Sequence, residues 1–490
     1  MNCIISLLLV TVGMSFCEVR GQSAGEDIED SIIRRAIESD FMWDEGVDAH
    51  LIDVTSRDGI VILSGYVDNL LARDRAEQIA ETVRGVRGII NTIEIRPVER
   101  SDILIRNSLT NAIAFDPALE KSDISLEVTA GRVTLQGTVD SYTERALAYQ
   151  VAKGVAGITE INNTIRVVPP EDRSDNEIKA DIIRRFEVDP SLHKEHFAIQ
   201  VTDGIVSLSG TAGSIPELKA VMEKAKVAGV TNIDTGGLEI KDWAGDWLRK
   251  RKKLAVSDPQ IKDAVFDVLR HDPRVLPFKI EVDIDNGMVT LEGNVDNLKA
   301  RNAAEEDVKN VIGVVDVANR IKVTRSITTN DWEIEKNILS ALKWDPYLDQ
   351  FDISVWVENT RVSIYGEVDN YFQKKHAGET ISRINNVTAI DNRLLVQTGP
   401  GAQKSDMVIK KDIQERLAWN AAVDEENISV EVSEGTARLT GVVDTWEEYN
   451  TALNYAFNSG ATTVKMEIKI KNYGLETYIH RVYGDNRFYQ

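Results

Sequence analysis

A motif that recurs six times constrains this chain more than any other feature of its sequence. In five places a glycine is followed two residues later by Val-Asp, as in 137–140, and in a sixth place the motif is degenerate (210–213). Successive glycines lie 72, 73, 83, 73 and 75 residues apart in the 490-residue chain. Such a period predicts one small module copied end to end. The anchor glycines are Gly65, Gly137, Gly210, Gly293, Gly366 and Gly441.

The residues around each anchor glycine predict the element order α-β-β-α-β. An apolar stripe, as in 28–37, indicates a first helix, and strict alternation, as in 124–128, indicates a first strand. A tight turn such as Asp58-Gly59 then leads into a second strand that contains the anchor glycine, which leaves space for a close backbone or helix approach. The aspartate three residues after the glycine is placed to cap a second helix, and a third strand follows.

The predicted fold class is α+β, a tandem array in which each module has a three-stranded mixed sheet packed against two helices. Links of a few residues leave both an extended string and a compactly coiled one open. Residues 244–256 form a basic linker and 473–490 an aromatic tail. The predicted modules span 27–97, 101–169, 174–243, 257–325, 330–398 and 404–472.

This pattern resembles the BON module, named for bacterial OsmY and nodulation proteins. The resemblance covers almost all of residues 27–472 and depends on the inward glycine, the alternating strands and the glycine-led third strand, recurring six times. It implies attachment to phospholipid membranes or envelope partners, often under osmotic stress in the periplasm, and it supplies no catalytic residues.

Residues 1–24 are interpreted as a secretory signal peptide, because the run 1–14 is apolar yet too short to span a bilayer. Cleavage after Cys17, Gly21 or Ala24 fits this interpretation, and a buried amino-terminal helix is the alternative. We expect a periplasmic protein. Both cysteines, Cys3 and Cys17, lie in this segment, so the mature chain would have no disulfide.

The formal net charge of −22 argues against a nucleic-acid partner, which would need a clustered basic surface. No catalytic set stands out either. The recurring aspartates (Asp68, Asp140, Asp296, Asp369 and Asp444) have no carboxylate or histidine partner at a fixed offset, so helix capping explains them better than acid-base chemistry.

No metal site or cofactor is expected. The histidines His193 and His196 lie in a turn without a third ligand of the kind that zinc requires. The stretch 283–287 resembles a calcium loop at first sight but lacks the later bidentate glutamate, so a hairpin turn is the better interpretation.

The insertion between the third and fourth modules is the most distinctive segment. It combines two tryptophans with five consecutive basic residues, which suit a lipid interface and phosphate headgroups respectively. A solvated linker whose charges pair with acidic modules is the alternative. The candidate lipid-binding residues are Trp243, Trp247, Arg249, Lys250, Arg251, Lys252 and Lys253.

Two functions follow as expectations. The first is a non-catalytic envelope protein that binds phospholipid surfaces in osmotic or envelope stress. The second is a periplasmic protein-binding scaffold or chaperone-like array, in which linked weak sites supply avidity. The sequence leaves the ligand, the arrangement of the modules and the oligomeric state open.

Overall fold

The computed structural model describes residues 28–471, apart from 45, 120–121, 189–191, 193, 242–256, 277, 312, 325–329, 397–403 and 422. Six modules with the order α-β-β-α-β follow one another. The first helices are Asp30–Trp43, Asp102–Phe115, Asp175–Val188, Asp258–His271, Asp331–Trp344 and Asp406–Trp419. The second helices are Leu70–Thr82, Tyr142–Lys153, Ile215–Lys224, Leu298–Lys309, Tyr371–Ser382 and Trp446–Asn458.

Each sheet is mixed, with the second strand in the centre, antiparallel to the first and parallel to the third. In modules 1, 2 and 5 the third strand is in two pieces, and module 5 also breaks its second strand. First strands are Ile52–Arg57, Asp123–Thr129, Phe197–Thr202, Ile280–Asp285, Ser354–Glu358 and Ile428–Ser433. Second strands are Ile60–Val67, Arg132–Val139, Ile205–Ala212, Met288–Val295, Arg361–Tyr365 with Glu367–Val368, and Thr436–Val443. Third strands are Gly88–Asn91 with Glu94–Ile95, Glu160–Asn163 with Arg166–Val167, Asn232–Ile240, Asp316–Val323, Ala389–Asn392 with Leu395–Val396, and Thr463–Ile470.

A carboxylate fastens the first helix to the hairpin in every module. In module 2 the side chain of Asp102 accepts hydrogen bonds from the backbone N–H groups of Ala130 and Gly131, at 2.9 and 3.0 Å. These two bonds hold the pKa of Asp102 below its usual value. We call this contact the hairpin clasp. Its six carboxylates are Asp30, Asp102, Asp175, Asp258, Asp331 and Asp406.

The cap of the second helix lies one residue later than the sequence analysis placed it. The side chain of Asn297, not Asp296, accepts the N–H of Ala300 at 2.7 Å, because Asn297 has the extended backbone that a capping residue adopts. The same holds in the other modules. The capping residues are Asn69, Ser141, Ser214, Asn297, Asn370 and Thr445.

Every anchor glycine has a backbone φ that side chains rarely adopt, from +110° at Gly65 to +155° at Gly293. A Cβ atom at Gly441 would collide with the carbonyl oxygen of Asn427, just before the first strand. The space that the glycine leaves is therefore filled by backbone of the neighbouring strand rather than by a helix.

Modules 1, 2 and 3 close into a ring. The first residue of each second helix contacts the next module: Leu70 joins the core shared by modules 2 and 5, Tyr142 packs on the core of module 3, and Ile215 packs on that of module 1. Ion pairs accompany two of these contacts, Lys153 with Asp74 and Lys219 with Glu81.

Modules 4, 5 and 6 repeat this arrangement with the residues at the equivalent position. The N–H of Leu298 donates to the carbonyl of Val387 in module 5 at 3.1 Å. Tyr371 stacks on Phe457 in module 6 at 3.9 Å, and Lys309 of module 4 lies 4.7 Å from the Trp446 ring centre. Each half of the chain is therefore a closed ring of three modules.

The two rings face each other through their first helices, and module 1 meets module 6, module 2 meets module 5, and module 3 meets module 4. The compactly coiled arrangement is therefore the one observed. Modules 2 and 5 share one hydrophobic core, with Phe115 stacked on Trp344 at 5.9 Å. None of the helices in the described ranges is long and apolar enough to cross a membrane.

Candidate binding surfaces

The predicted lipid-binding segment lies outside the described residues, as do the leader and the aromatic tail. Its flanks are described: Lys241 donates its N–H to the carbonyl of Ala212 at the end of the module 3 sheet, and Ser257 is the residue just before the first helix of module 4. The segment that holds Trp243, Trp247 and the five basic residues is therefore the covalent connection between the two rings.

The recurring aspartates have local structural partners. The side chain of Asn69 donates to Asp68 at 2.7 Å, and that of Asn297 donates to Asp296 at 2.6 Å. Partial burial raises the pKa of Asp68, and the bond from Asn69 opposes the shift. Across the ranges that the structure describes, no group of three His, Cys, Asp or Glu side chains could hold a metal ion.

The helices of a module cover one face of its sheet, and the other face points outward. On module 1 this outer face carries isoleucines. Ile60, Ile62 and Ile90 are 37%, 38% and 50% exposed, while their neighbours Val61 and Leu63 are fully buried. Ile62 and Ile90 are direct partners across the parallel strands, so the exposed side chains form one apolar patch.

The other modules have polar or small side chains where module 1 has the Ile62–Ile90 pair. An apolar pair at this point is therefore not required by the fold of the module. The equivalent pairs are Thr134–Asn162, Ser207–Asp234, Thr290–Ala318, Ser363–Asp391 and Arg438–Lys465.

The rim of the module 1 patch combines aromatic and charged groups. Arg96 lies over the ring of Tyr66 at 4.2 Å and pairs with Glu94 at 2.7 Å. The side chain of Arg57 is 93% exposed. Tyrosine and arginine side chains each have an apolar body and a polar tip. They therefore suit the boundary between an apolar phase and water. Each of the two arginines lies near an acidic side chain, Arg57 near Asp58 at 3.9 Å and Arg96 near Glu94.

Module 5 has a second exposed outer face of different character. Trp356 is 63% exposed on the first strand, and Tyr365 and Leu395 are also exposed. The guanidinium of Arg393 lies 5.6 Å from the Tyr365 ring centre. Exposed Trp, Tyr and Arg together are typical of protein-binding surfaces.

Neither outer face was predicted from the sequence. A signal was present for module 1, since the run Ile60-Val61-Ile62-Leu63 is apolar on both faces of the strand instead of alternating. The patch lies at positions where module 1 departs from the other five modules, so the repeat pattern does not reveal it.

A family model described as "BON domain" matches the chain six times, at residues 29–97, 101–169, 174–242, 257–325, 330–398 and 405–472. Among curated proteins, the chain is similar to osmotically-inducible protein Y of Escherichia coli (strain K12), with 24% identity over 149 residues, 29% of this chain and 74% of the relative. It is also similar to an uncharacterised protein in the gshII 5′ region of Anaplasma centrale, with 34% identity over 118 residues, 23% of this chain and 78% of the relative.

Matches to solved structures include two of one secretion-system protein. One is CdsD, a structural protein of the type III secretion system of Chlamydia trachomatis, with 16% identity, 46% of this chain, 99% of that chain and a TM-score of 0.14. The other is the C-terminal domain of CdsD, with 15% identity, 44% of this chain, 100% of that chain and a TM-score of 0.13. At these TM-scores the matches carry no argument about how the modules are arranged.

Proposed function

This chain belongs to the BON domain family, and on that premise we propose that it is a non-catalytic protein of the cell envelope that binds phospholipid surfaces. The observation that carries the proposal is the isoleucine patch on the outer face of module 1, which five other copies of the same fold do without. Packing between the modules runs through their helices, while the isoleucines of the module 1 outer sheet face remain exposed.

The chemistry of the patch favours a lipid surface. Moving a partly exposed isoleucine from water into an apolar phase gains roughly 1 kcal/mol. Tyr66 and Arg96 at the rim suit the headgroup region. The basic segment Arg249–Lys253 adds attraction to anionic headgroups of roughly 1 kcal/mol per charge, and its two tryptophans suit the same interface.

The location and the physiological context are part of the same proposal. The apolar run 1–14 supports export to the periplasm. Similarity to a protein named for osmotic induction supports a role in osmotic or envelope stress.

Flotation of the full chain with vesicles tests the proposal. We expect the chain to float with vesicles that contain anionic phospholipid, and the bound fraction to fall as salt rises, because screening weakens the basic segment. The double variant Ile62→Thr with Ile90→Asn copies the pair found in module 2. It should reduce the partition coefficient about tenfold, since it removes roughly 1–2 kcal/mol of apolar contact.

The chain supplies its own matched control. Thr134→Ile with Asn162→Ile places the module 1 pair on module 2 and should raise vesicle binding. Equal binding by the wild type and the Ile62/Ile90 variant would remove the patch from the proposal. Binding that is unchanged after Arg249, Lys250, Arg251, Lys252 and Lys253 are replaced by glutamine would remove the basic segment. A wild-type chain that does not float would contradict the proposal as a whole.

The outer face of module 5 favours a second candidate, a periplasmic protein-binding scaffold. Exposed Trp356 beside Tyr365 and Arg393 has the composition of a protein-binding surface. This alternative predicts capture of envelope proteins that Trp356→Ala abolishes and that the Ile62/Ile90 variant leaves unchanged. It also predicts indifference to phospholipid.

A further inference from the structure

We infer that the two rings are separable binding partners: the first-helix face of modules 1–3 recognises the first-helix face of modules 4–6, in the same chain or in a second copy, without need of the covalent connection. Three observations carry this inference. Each ring is closed, the helix pairs between the rings have different chemistry, and one of them contains a buried ion pair that fits a single rotational alignment.

Closure means that the three modules of each half are held to one another by contacts within that half. Modules 1, 2 and 3 contact one another in a cycle through Leu70, Tyr142 and Ile215, and each of these side chains packs on the core of the following module. Modules 4, 5 and 6 do the same with the equivalent residues. The only chain segment that joins the halves is 242–256.

The junction of modules 1 and 6 contains the buried ion pair. Nε of Arg416 donates to Oδ1 of Asp40 at 2.9 Å, and the two side chains are 3% and 5% exposed. The Arg416 guanidinium also lies 4.4 Å from the ring centre of Tyr455. Backbone bonds flank the pair: Arg84 donates to the carbonyl of Trp419 at 3.0 Å, and Ala421 donates to Thr82 at 2.7 Å.

The remaining two junctions have different side-chain contacts, although Ala156 of module 2 donates to the carbonyl of Trp344 at 2.8 Å as Arg84 does to that of Trp419. Modules 2 and 5 meet through the stacked rings of Phe115 and Trp344. Modules 3 and 4 meet through Arg184 and Asp267, 3.6 Å apart. Three unlike side-chain contacts on the first-helix faces give the two rings a unique match.

The eleventh residue of the first helix shows why other alignments fail. Turning one ring by a third of a turn would set Arg416 against the helix of module 2 or of module 3, where Ala112 and Arg185 stand. Asp40 would meet Ala341 or Val268. Either alignment buries a charge without a counter-ion, which is strongly unfavourable. The eleventh residues are Asp40, Ala112, Arg185, Val268, Ala341 and Arg416.

A site-specific cut in the full chain tests the inference. A protease recognition sequence is placed within 242–256, and the folded protein is cut and analysed by size exclusion at pH 8. We expect the two halves to elute together with the volume of the uncut chain. Halves that separate or aggregate after the cut would overturn the inference.

Variants of the ion pair test the alignment on the same cut protein. Asp40→Ala should weaken association of the halves at least about tenfold, because Arg416 stays buried without a counter-ion. Exchanging the two groups, Asp40→Arg with Arg416→Asp, should restore association, which general damage to module 1 would not allow. Arg438→Ala, which breaks an exposed pair with Glu467 on an outer sheet face, is the control and should change nothing.

Exchange between copies is measured with two cut samples, one carrying a tag on the first half. After unfolding and joint refolding, we expect the tagged first half to bring down the untagged second half. Recovery of the tagged half alone would show that the faces do not recognise each other in trans, and would overturn the inference. Vesicle binding has no part in this experiment, so its outcome is independent of the proposed function.

Discussion

The hairpin clasp is the same in all six modules, whereas the eleventh residue of the first helix varies from module to module. The clasp aspartates occupy the first position of the first helix, each 35 residues before an anchor glycine. Ten residues further along the same helices stand Asp40, Ala112, Arg185, Val268, Ala341 and Arg416. Repetition therefore builds the module, and variation at fixed places decides which modules meet.

The largest expected effect concerns a repeated position inside a module. Gly441→Ala should lower the free energy of unfolding by about 4 kcal/mol, because its φ of +145° disfavours a side chain and the new Cβ would collide with the Asn427 carbonyl. Urea unfolding followed by circular dichroism measures the change.

Gly154→Ala is the control for this prediction. Gly154 has a φ of −76°, and the nearest atom to a Cβ there is a carbonyl oxygen at 3.4 Å. We expect a change close to zero. Equal destabilisation by the two substitutions would show that the anchor glycines are no more important for stability than a glycine outside the repeat pattern.

Much of the module could be predicted from the sequence, and little of the assembly could. The strands, turns and anchor glycines depend on residues within one period of the repeat, so their spacing is visible in the sequence. The clasp was visible as well, as an aspartate at a constant 35-residue offset, but an acidic residue in the first turn of a helix is usually explained by the helix dipole.

The junctions depend on pairs that no local pattern marks. Asp40 and Arg416 are 376 residues apart, and each alone has the appearance of a surface residue on an amphipathic helix. The prediction that the recurring aspartates cap the second helices was wrong for another reason. Asp68 and Asn69 are both good capping residues, and only the backbone conformation shows which of them caps the helix.

The next largest effect is expected at the junction of modules 2 and 5. Trp344 is buried against Phe115 in the shared core, so Trp344→Ala should cost about 3 kcal/mol. Trp332 lies in the same helix and is 69% exposed, which makes Trp332→Ala a matched control with a change near zero. Thermal unfolding measures both variants. A loss that is equally large for Trp332 would show that the helix itself, rather than the junction, is affected.

The smallest expected effect is on how stability depends on pH, and its sign should differ between the junction aspartate Asp40 and the clasp aspartate Asp102. Burial raises the pKa of Asp40 to about 6, although Arg416 opposes the shift. In the unfolded chain the pKa is near 3.9. The folded state therefore holds the proton more tightly, and the contribution of Asp40 to stability is full below about pH 4 and is lost as the pH rises to about 6, on the order of 2 kcal/mol. Measured by urea unfolding, the stability of the wild type relative to Asp40→Asn should fall over this range.

The clasp should behave in the opposite way. Its bonds from Gly131 and Ala130 lower the pKa of Asp102, so its contribution is present above the usual aspartate pKa and is lost as the pH falls through the lowered value. The stability of the wild type relative to Asp102→Asn should therefore rise with pH in the acid range, where the difference for Asp40 is flat or falling. The same slope for both aspartates would mean that clasp and junction do not differ in how they hold a charge. Opposite slopes would show that the clasp stabilises the ionised form of Asp102, whereas burial at the junction destabilises the ionised form of Asp40.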